Sequence, residues 1–304
     1  MKKILYFILP LLIFFVGCSQ NSSEKSQKPQ VVVTTFAIYD VAKSIAQDDI
    51  DVSMLIPFGK EVHSFEPTPK DIIKLKKSAY FFYNGAGLEP WAEKFADGNK
   101  GVDLSRYVDL KKATTSHHHH GDKEHGAIDP HYWLDFENMQ KIADTIAHYY
   151  AQLLPQKKEL FFKRAQKYKK MLQELDKKYK RVFNTTCKKK EIFVNHNAYS
   201  YLASRYGFGV DSLVGLSPEA QPSPKVIEET INQIRKEDVK VVFCENFENK
   251  NILESVARDT GVKMEILKPL ANITADDAKK GENYQSLMLQ NLKKIADALE
   301  CDGV

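Results

Sequence analysis

Two halves of the chain repeat one alternation of short β-rich runs and helical stretches, and this order constrains the fold more than any other feature. The β-rich runs of the first half are residues 31–36, 52–56, 80–83 and 102–104. Those of the second half are residues 192–195, 210–213, 239–244 and 262–267. Strands that alternate with helices form parallel sheets covered by helices. We therefore predict an α/β fold with two similar lobes, each a parallel sheet flanked by helices.

A long helical stretch lies between the halves. Residues 137–184 contain no glycine and are rich in strong helix formers, and Pro155 is placed to end one helix and begin the next. A continuous helix over residues 155–184 would be about 45 Å long at 1.5 Å per residue. We predict a rigid connecting helix at residues 155–186, between an N-terminal lobe at 30–154 and a C-terminal lobe at 187–304. The alternative is an amphipathic helix that lies on one lobe only.

The first 29 residues have the composition of an export segment and a tether. Lys2 and Lys3 precede an apolar run at residues 4–17, which is shorter than the roughly 20 residues of a membrane-spanning helix, so we interpret residues 1–17 as a signal peptide. Gly17 before Cys18 resembles a bacterial lipobox and favours cleavage before Cys18 and its lipidation. Residues 18–29 are polar and predict a flexible tether. We expect a lipoprotein of the cell envelope; a periplasmic protein released by an ordinary signal peptide is the alternative.

Composition and charge exclude several classes of protein. A hydrophobic content of 43% with 28% charged residues suits a globular body and excludes a disordered or fibrous protein. The chain has 44 Lys and Arg against 40 Asp and Glu, and the basic residues are scattered, so we expect no nucleic-acid partner. No second apolar stretch has membrane length, so we expect membrane contact only through the N-terminal anchor.

The nine histidines point to metal binding. Neutral imidazole is a nitrogen ligand that suits Zn²⁺ and its neighbours. Five histidines lie in the polar stretch at residues 114–126, which we interpret as an auxiliary metal loop and not as an expression tag. These five are His117, His118, His119, His120 and His125.

Three further histidines occupy positions that suit one shared site. His63 lies in the loop after the strand at 52–56, and His196 follows the strand at 192–195 directly. Because ligands collect at the carboxyl ends of parallel strands, these two residues are expected to face each other across an interlobe cleft. His131 lies in a loop that proline and aromatic neighbours would fix. Each histidine alone is explained by a structural role, but together they predict a metal site; His148, inside a helix, is assigned a structural role.

These motifs resemble one known family, the zinc-specific (ZnuA-like) solute-binding proteins of bacterial ABC importers, within the zinc/manganese-binding cluster A-I. The similar segments are HSFEPTP from His63, DPHYWL around His131 and HNAYSYL from His196. The segments SPEAQPSP at 217–224 and ILESVARDTG at 252–261 are also similar and carry no metal role. The resemblance covers most of the body and implies a two-lobed receptor with a rigid connecting helix and a metal site in the cleft.

The resemblance also implies individual roles. The metal ligands would be His63, His131 and His196, and an imidazole at the third position favours zinc because manganese-specific relatives usually have a carboxylate there. The chain departs from the family where Lys268 replaces the usual aspartate of the last motif. Since an ammonium repels Zn²⁺, the fourth position would fall to water or a carboxylate. The carboxylates considered are Glu61, Glu66 and Glu245. Relatives further imply a disulfide between Cys244 and Cys301.

The leading hypothesis is a monomeric receptor that captures Zn²⁺ outside the cytoplasm and delivers it to an ABC permease. A receptor for manganese or another divalent metal, and a surface metal buffer or adhesin, are the alternatives. A zinc hydrolase is disfavoured, because the chain lacks an H-E-x-x-H motif and shows no recognisable general base. We therefore expect a binding protein and not an enzyme.

Overall fold

The computed structural model describes residues 28–96, 100–113 and 127–302. The predicted signal peptide, Cys18 and the histidine-rich stretch at 114–126 lie outside the described residues. Within these ranges, no helix is both long and apolar enough to cross a membrane.

The first lobe is built on a parallel sheet with the order β2-β1-β3-β4. Its strands and helices are β1 (Gln30–Val33), α1 (Phe36–Ala46), β2 (Asp51–Met54), α2 (Pro69–Lys77), β3 (Tyr80–Tyr83) and β4 (Gly101–Asp103). A short antiparallel ribbon follows, β5 (Lys111–Lys112) with β6 (Ile128–Asp129). Helix α2 begins with a capping box between Thr68 and Asp71 and has Pro69 in its first turn, as these residues predict.

Two consecutive helices join the lobes. Helix α3 (Phe136–Leu153) is separated from α4 (Lys158–Phe183) by a 3₁₀ turn, Pro155–Lys157, so the break falls at the proline. One face of α4 is buried, and its contacts reach both lobes. Near its start Arg164 donates to the carbonyls of Ile45 and Ala46 in α1, and near its end the Tyr179 hydroxyl donates to the carbonyl of Met288.

The second lobe is built on a parallel sheet with the order β10-β9-β7-β8. Its elements are β7 (Glu191–His196), α5 (Ser200–Tyr206), β8 (Gly209–Val214), α6 (Pro224–Lys236), β9 (Val241–Cys244), α7 (Asn251–Thr260), β10 (Lys263–Ile266), α8 (Ala275–Lys279) and α9 (Tyr284–Ala298). Each β-rich run of the sequence coincides with one strand of these sheets. The α/β class with two similar lobes and a long connecting helix is confirmed.

The disulfide expected between Cys244 and Cys301 is wrong, because the bond joins Cys187 to Cys301. Cys244 ends β9 with its side chain buried among apolar residues of the second lobe. Cys301 follows α9 and forms an antiparallel bridge with Cys187, in the segment that leads into β7. The backbone pairing at that bridge brings Cys187 next to Cys301 and leaves Cys244 as a free thiol.

Candidate metal centre

Three elements that end at the cleft carry the three histidines. His63 lies in the loop between β2 and α2, His131 lies between β6 and α3, and His196 is the last residue of β7. The Nε2 atom of His131 is 3.3 Å from Nε2 of His63 and 3.3 Å from Nε2 of His196. The structure therefore brings together the three residues that the sequence motifs single out, with the first lobe and the second lobe both contributing.

The separation of these nitrogens matches the geometry of a zinc site. A tetrahedral Zn²⁺ with Zn–N distances of about 2.0–2.1 Å holds two ligand nitrogens about 3.3–3.4 Å apart. The two separations of 3.3 Å around His131 agree with that value. The rings face a cavity of about 10 Å³, near the volume that one water-sized sphere occupies. The space is suited to a single ion.

Carboxylates stand beside Nδ1 of two of the rings. Asp129 Oδ1 lies 2.8 Å from Nδ1 of His131 and also accepts the backbone N–H of that residue at 2.9 Å. Glu245 Oε1 lies 2.7 Å from Nδ1 of His196, and Glu248 Oε2 lies 3.8 Å from the same nitrogen. A partner at Nδ1 keeps the Nε2 lone pair directed at the cleft, as at metal sites in general.

Burial and charge set the protonation of the rings. Burial lowers the pKa of His63 well below its usual value, and the two neighbouring imidazoles lower it further. Burial also lowers the pKa of His131, although Asp129 opposes the shift. For His196 burial acts in the same direction, but Glu245 and Glu248 outweigh it and raise the pKa to about 10. The lowered pKa of His63 and of His131 favours the neutral imidazole, the form that binds metal, whereas His196 must release a proton when it binds.

The carboxylates considered for a fourth ligand occupy different places. Glu66 is exposed, and Glu245 is engaged behind His196. Glu61 lines the cavity, and its Oε1 accepts the backbone N–H of His63 at 2.9 Å. Lys268, which replaces the family aspartate, turns away from the cavity and binds Asp277 with Nζ 2.7 Å from Oδ1. Glu61 and Glu245 both line the cavity, but Glu245 lies against Nδ1 of His196, so Glu61 is the one of these two that does not contact a histidine ring.

Other sequence expectations fall outside this centre. His148 is an exposed residue of α3 that contacts Gln152, 3.0 Å away, and it does not line the metal cavity. Asp129 was not predicted from the sequence, although it stands two residues before His131 in the second motif, a spacing that could have suggested a partner for the ring. Asn272 was not predicted either; it lines the cavity from the second lobe and stands four residues after Lys268 of the last motif.

Comparison with known proteins places the chain in a family. The family described as "ZnuA: Zinc-uptake complex component A periplasmic" matches residues 31–298. The chain belongs to this family. A ZnuA-family protein of Bacillus subtilis, named a high-affinity zinc uptake system protein, is 33% identical over 312 residues. The matched region covers 97% of that protein and 97% of this chain.

Other relatives differ in length and in the metal that their names give. The zinc-binding lipoprotein AdcA of Streptococcus pneumoniae is 30% identical over 312 residues, which are 100% of this chain but 62% of AdcA. The chain therefore spans less than two thirds of that relative. A manganese ABC transporter substrate-binding lipoprotein, PsaA of Streptococcus mitis, is 30% identical over 308 residues, covering 98% of this chain and 99% of PsaA.

A solved structure of the same family shares the fold. The crystal structure of the Zn(II)-bound ZnuA-like domain of Streptococcus pneumoniae AdcA superposes with a TM-score of 0.75 at 30% identity. The superposition covers 90% of this chain and 100% of that domain.

Proposed function

We propose that the chain is an extracytoplasmic zinc receptor. It captures Zn²⁺ in the cleft through His63, His131 and His196 and delivers the ion to an ABC permease, without catalysing a reaction. The observation that carries the proposal is the pair of 3.3 Å separations around His131 Nε2, which suit one tetrahedral ion. Membership of the ZnuA family supports transport as the purpose of this binding.

Ligand chemistry favours zinc over manganese. Three imidazole nitrogens suit Zn²⁺, whereas Mn²⁺ prefers carboxylate, carbonyl and water oxygens. PsaA is named a manganese protein, so family membership alone does not decide the metal. The fourth position is taken by Glu61 or by water. Because Glu61 would be one oxygen among three nitrogens, either arrangement keeps the preference for zinc.

A calorimetric zinc titration tests the proposal directly. The protein is the metal-stripped mature body without residues 114–126, and manganese is the competitor. We expect one tight zinc site that manganese does not displace. His63→Ala, His131→Ala and His196→Ala should each abolish tight binding, while His148→Ala, an exposed histidine, should leave it unchanged. Weak binding at several sites, or tight binding in all three cleft variants, would contradict the assignment.

Two other activities are separated by further measurements. A surface metal buffer would lose most of its zinc capacity when residues 114–126 are deleted, whereas the receptor keeps its single tight site. A zinc hydrolase would turn over ester or peptide substrates in a metal-dependent way; we expect no turnover by pure protein.

Placement in the envelope and the division into lobes belong to the same proposal. Cys18 would carry a lipid after removal of residues 1–17, so Cys18→Ala should release the protein from membranes into the soluble fraction.

We propose that residues 30–154 and 187–304 form the two lobes around a connecting segment at 155–186, and that the receptor acts as a monomer. Zinc uptake by cells that lack the receptor should return with the wild-type chain and not with His131→Ala.

A further inference from the structure

The loop that carries His63 has neither helix nor strand between β2 and α2, so single contacts must fix its position. His131 and His196 each have a carboxylate beside Nδ1. In the part of the chain that the structure describes, the polar partner of the His63 ring is Nε2 of His131, and the ring also contacts that of His196, so both neighbours are themselves proposed ligands. The position of His63 therefore depends on contacts made by the backbone of its loop.

Asn272 of the second lobe holds that backbone. Its Nδ2 donates to the carbonyl of Pro57 and to the carbonyl of Lys60, both at 2.8 Å. Its Oδ1 accepts the N–H of Ile273 at 2.8 Å, and the carbonyl of Ile273 accepts the N–H of Gly59 at 2.9 Å. Asn272 is only 5% exposed, so these bonds form in a site with little competing water. Residues 57–60, which precede His63, are thus bound to the opposite lobe.

The segment that carries Asn272 is itself firmly held. The carbonyls of Leu270 and Ala271 accept the N–H groups of Ala37 and Phe36 at the start of α1, at 3.2 and 2.8 Å. These two carbonyls satisfy N–H groups in the first turn of α1, because the side chain of Thr35 at the N-cap makes no hydrogen bond to them. Leu270 is fully buried and has a φ of 61°, a conformation that a leucine keeps only when its surroundings impose it. The segment is a fixed support and not a mobile loop.

We propose that Asn272 is the positioning residue for His63. It binds no metal; it holds residues 57–60 from the second lobe, so that His63 Nε2 stays at coordination distance from the other two imidazoles. Metal affinity then depends on the contact between the lobes at this point. The inference rests on the proposed function, because it concerns the same three-histidine site.

An isosteric substitution with a matched control tests this role. Asn272→Asp keeps the acceptor for Ile273 and removes both N–H donors to the loop. Asn138→Asp is the control, since Asn138 is also buried and its side chain bonds the N–H and the carbonyl of Asp109, at 2.9 and 3.0 Å. We expect zinc affinity to fall about 10- to 100-fold in Asn272→Asp, the usual loss when a residue behind a ligand is changed, and not in Asn138→Asp. Cobalt(II) bound to Asn272→Asp should show an altered visible spectrum, because one nitrogen is displaced.

A double-mutant cycle separates positioning from general stability. In a His63→Ala background, Asn272→Asp should cause no further loss of the remaining weak zinc affinity, because its effect passes through His63. Additive losses, or unchanged affinity in Asn272→Asp, would overturn the inference. If Asn272→Asp does not fold, Asn272→Ala takes its place in the same cycle. If the wild type itself has no tight zinc site, the proposed function is wrong. If the wild type has the site and Asn272→Asp does not weaken it, only the positioning role is wrong.

Discussion

The three histidines of the cleft are held in different ways, and their neighbours should therefore differ in importance. Asp129 is fully buried and contacts both the ring and the backbone of His131. Glu245 contacts the ring of His196, and Asn272 acts on His63 only through the loop. Among the neighbours of the proposed ligands, Asp129 and Glu245 therefore act most directly on a ring.

We predict that Asp129→Asn weakens zinc binding about 10-fold while the protein stays folded. Asparagine keeps an acceptor for His131 but removes the negative charge that supports the ring when it binds a cation. Competition with a zinc chelator measures the change. Asp103→Asn is the control, because Asp103 accepts hydrogen bonds from Ser105 and Arg106 and does not line the metal cavity. Equal affinities of Asp129→Asn and wild type would show that Asp129 serves the fold alone.

Glu61→Gln tests the fourth ligand. If the Glu61 carboxylate closes the coordination shell, its loss should weaken zinc binding about 10-fold and change the cobalt(II) spectrum. If water occupies the fourth position, both properties stay near those of the wild type. Glu66→Gln, at an exposed glutamate of the same loop, should have no effect in either case.

At the scale of helices, Arg205 joins three of them. It belongs to α5 and contacts Glu137 of α3 at 2.8 Å and Asp176 of α4 at 2.9 Å, with Asp135 at 3.7 Å. Its side chain is 13% exposed and that of Asp176 is 14% exposed, so this ion pair is largely shielded from water, whereas the side chain of Glu137 is 62% exposed. The arginine ties the second lobe to the connecting helix α4 and to the helix that precedes it.

We predict that Arg205→Met lowers the free energy of unfolding by about 2 kcal/mol at neutral pH, because carboxylates lose their partner in a partly buried site. Burial would raise the pKa of Asp176, but Arg205, Lys180 and Tyr206 outweigh it and hold the pKa at about 2. This pKa lies below the usual 3.8, so the stabilisation is complete above pH 4 and disappears as the pH falls towards 2. Urea unfolding of both proteins at several pH values should show a difference that shrinks in acid. A difference independent of pH would exclude the ion pair as its source.

At the scale of the whole molecule, the features that follow from local periodicity could be predicted, and those that depend on distant contacts could not. The strands and the long helix were predictable because β-rich runs and helix formers recur regularly. Helix α1 was not predicted; Thr35 stands at its N-cap but makes no side-chain cap hydrogen bond, and the first N–H groups donate instead to the carbonyls of Leu270 and Ala271 of the other lobe. The place of Asn272 beside the His63 loop is likewise invisible, since 212 residues separate it from Lys60.

The disulfide is the last such distant contact, and it carries a prediction for the stability of the molecule. The bond between Cys187 and Cys301 closes a loop with a sequence separation of 114, which contains most of the second lobe. Cross-linking a loop of this length restricts the unfolded chain, so Cys187→Ser should lower the free energy of unfolding by about 2–5 kcal/mol. Thermal unfolding of the wild type with a reductant should reproduce this loss, and the reductant should have no further effect on Cys187→Ser. Cys244→Ala should keep the sensitivity to reductant, because Cys244 is a free thiol. A loss of that sensitivity in Cys244→Ala would show instead that Cys244 is the disulfide partner of Cys301.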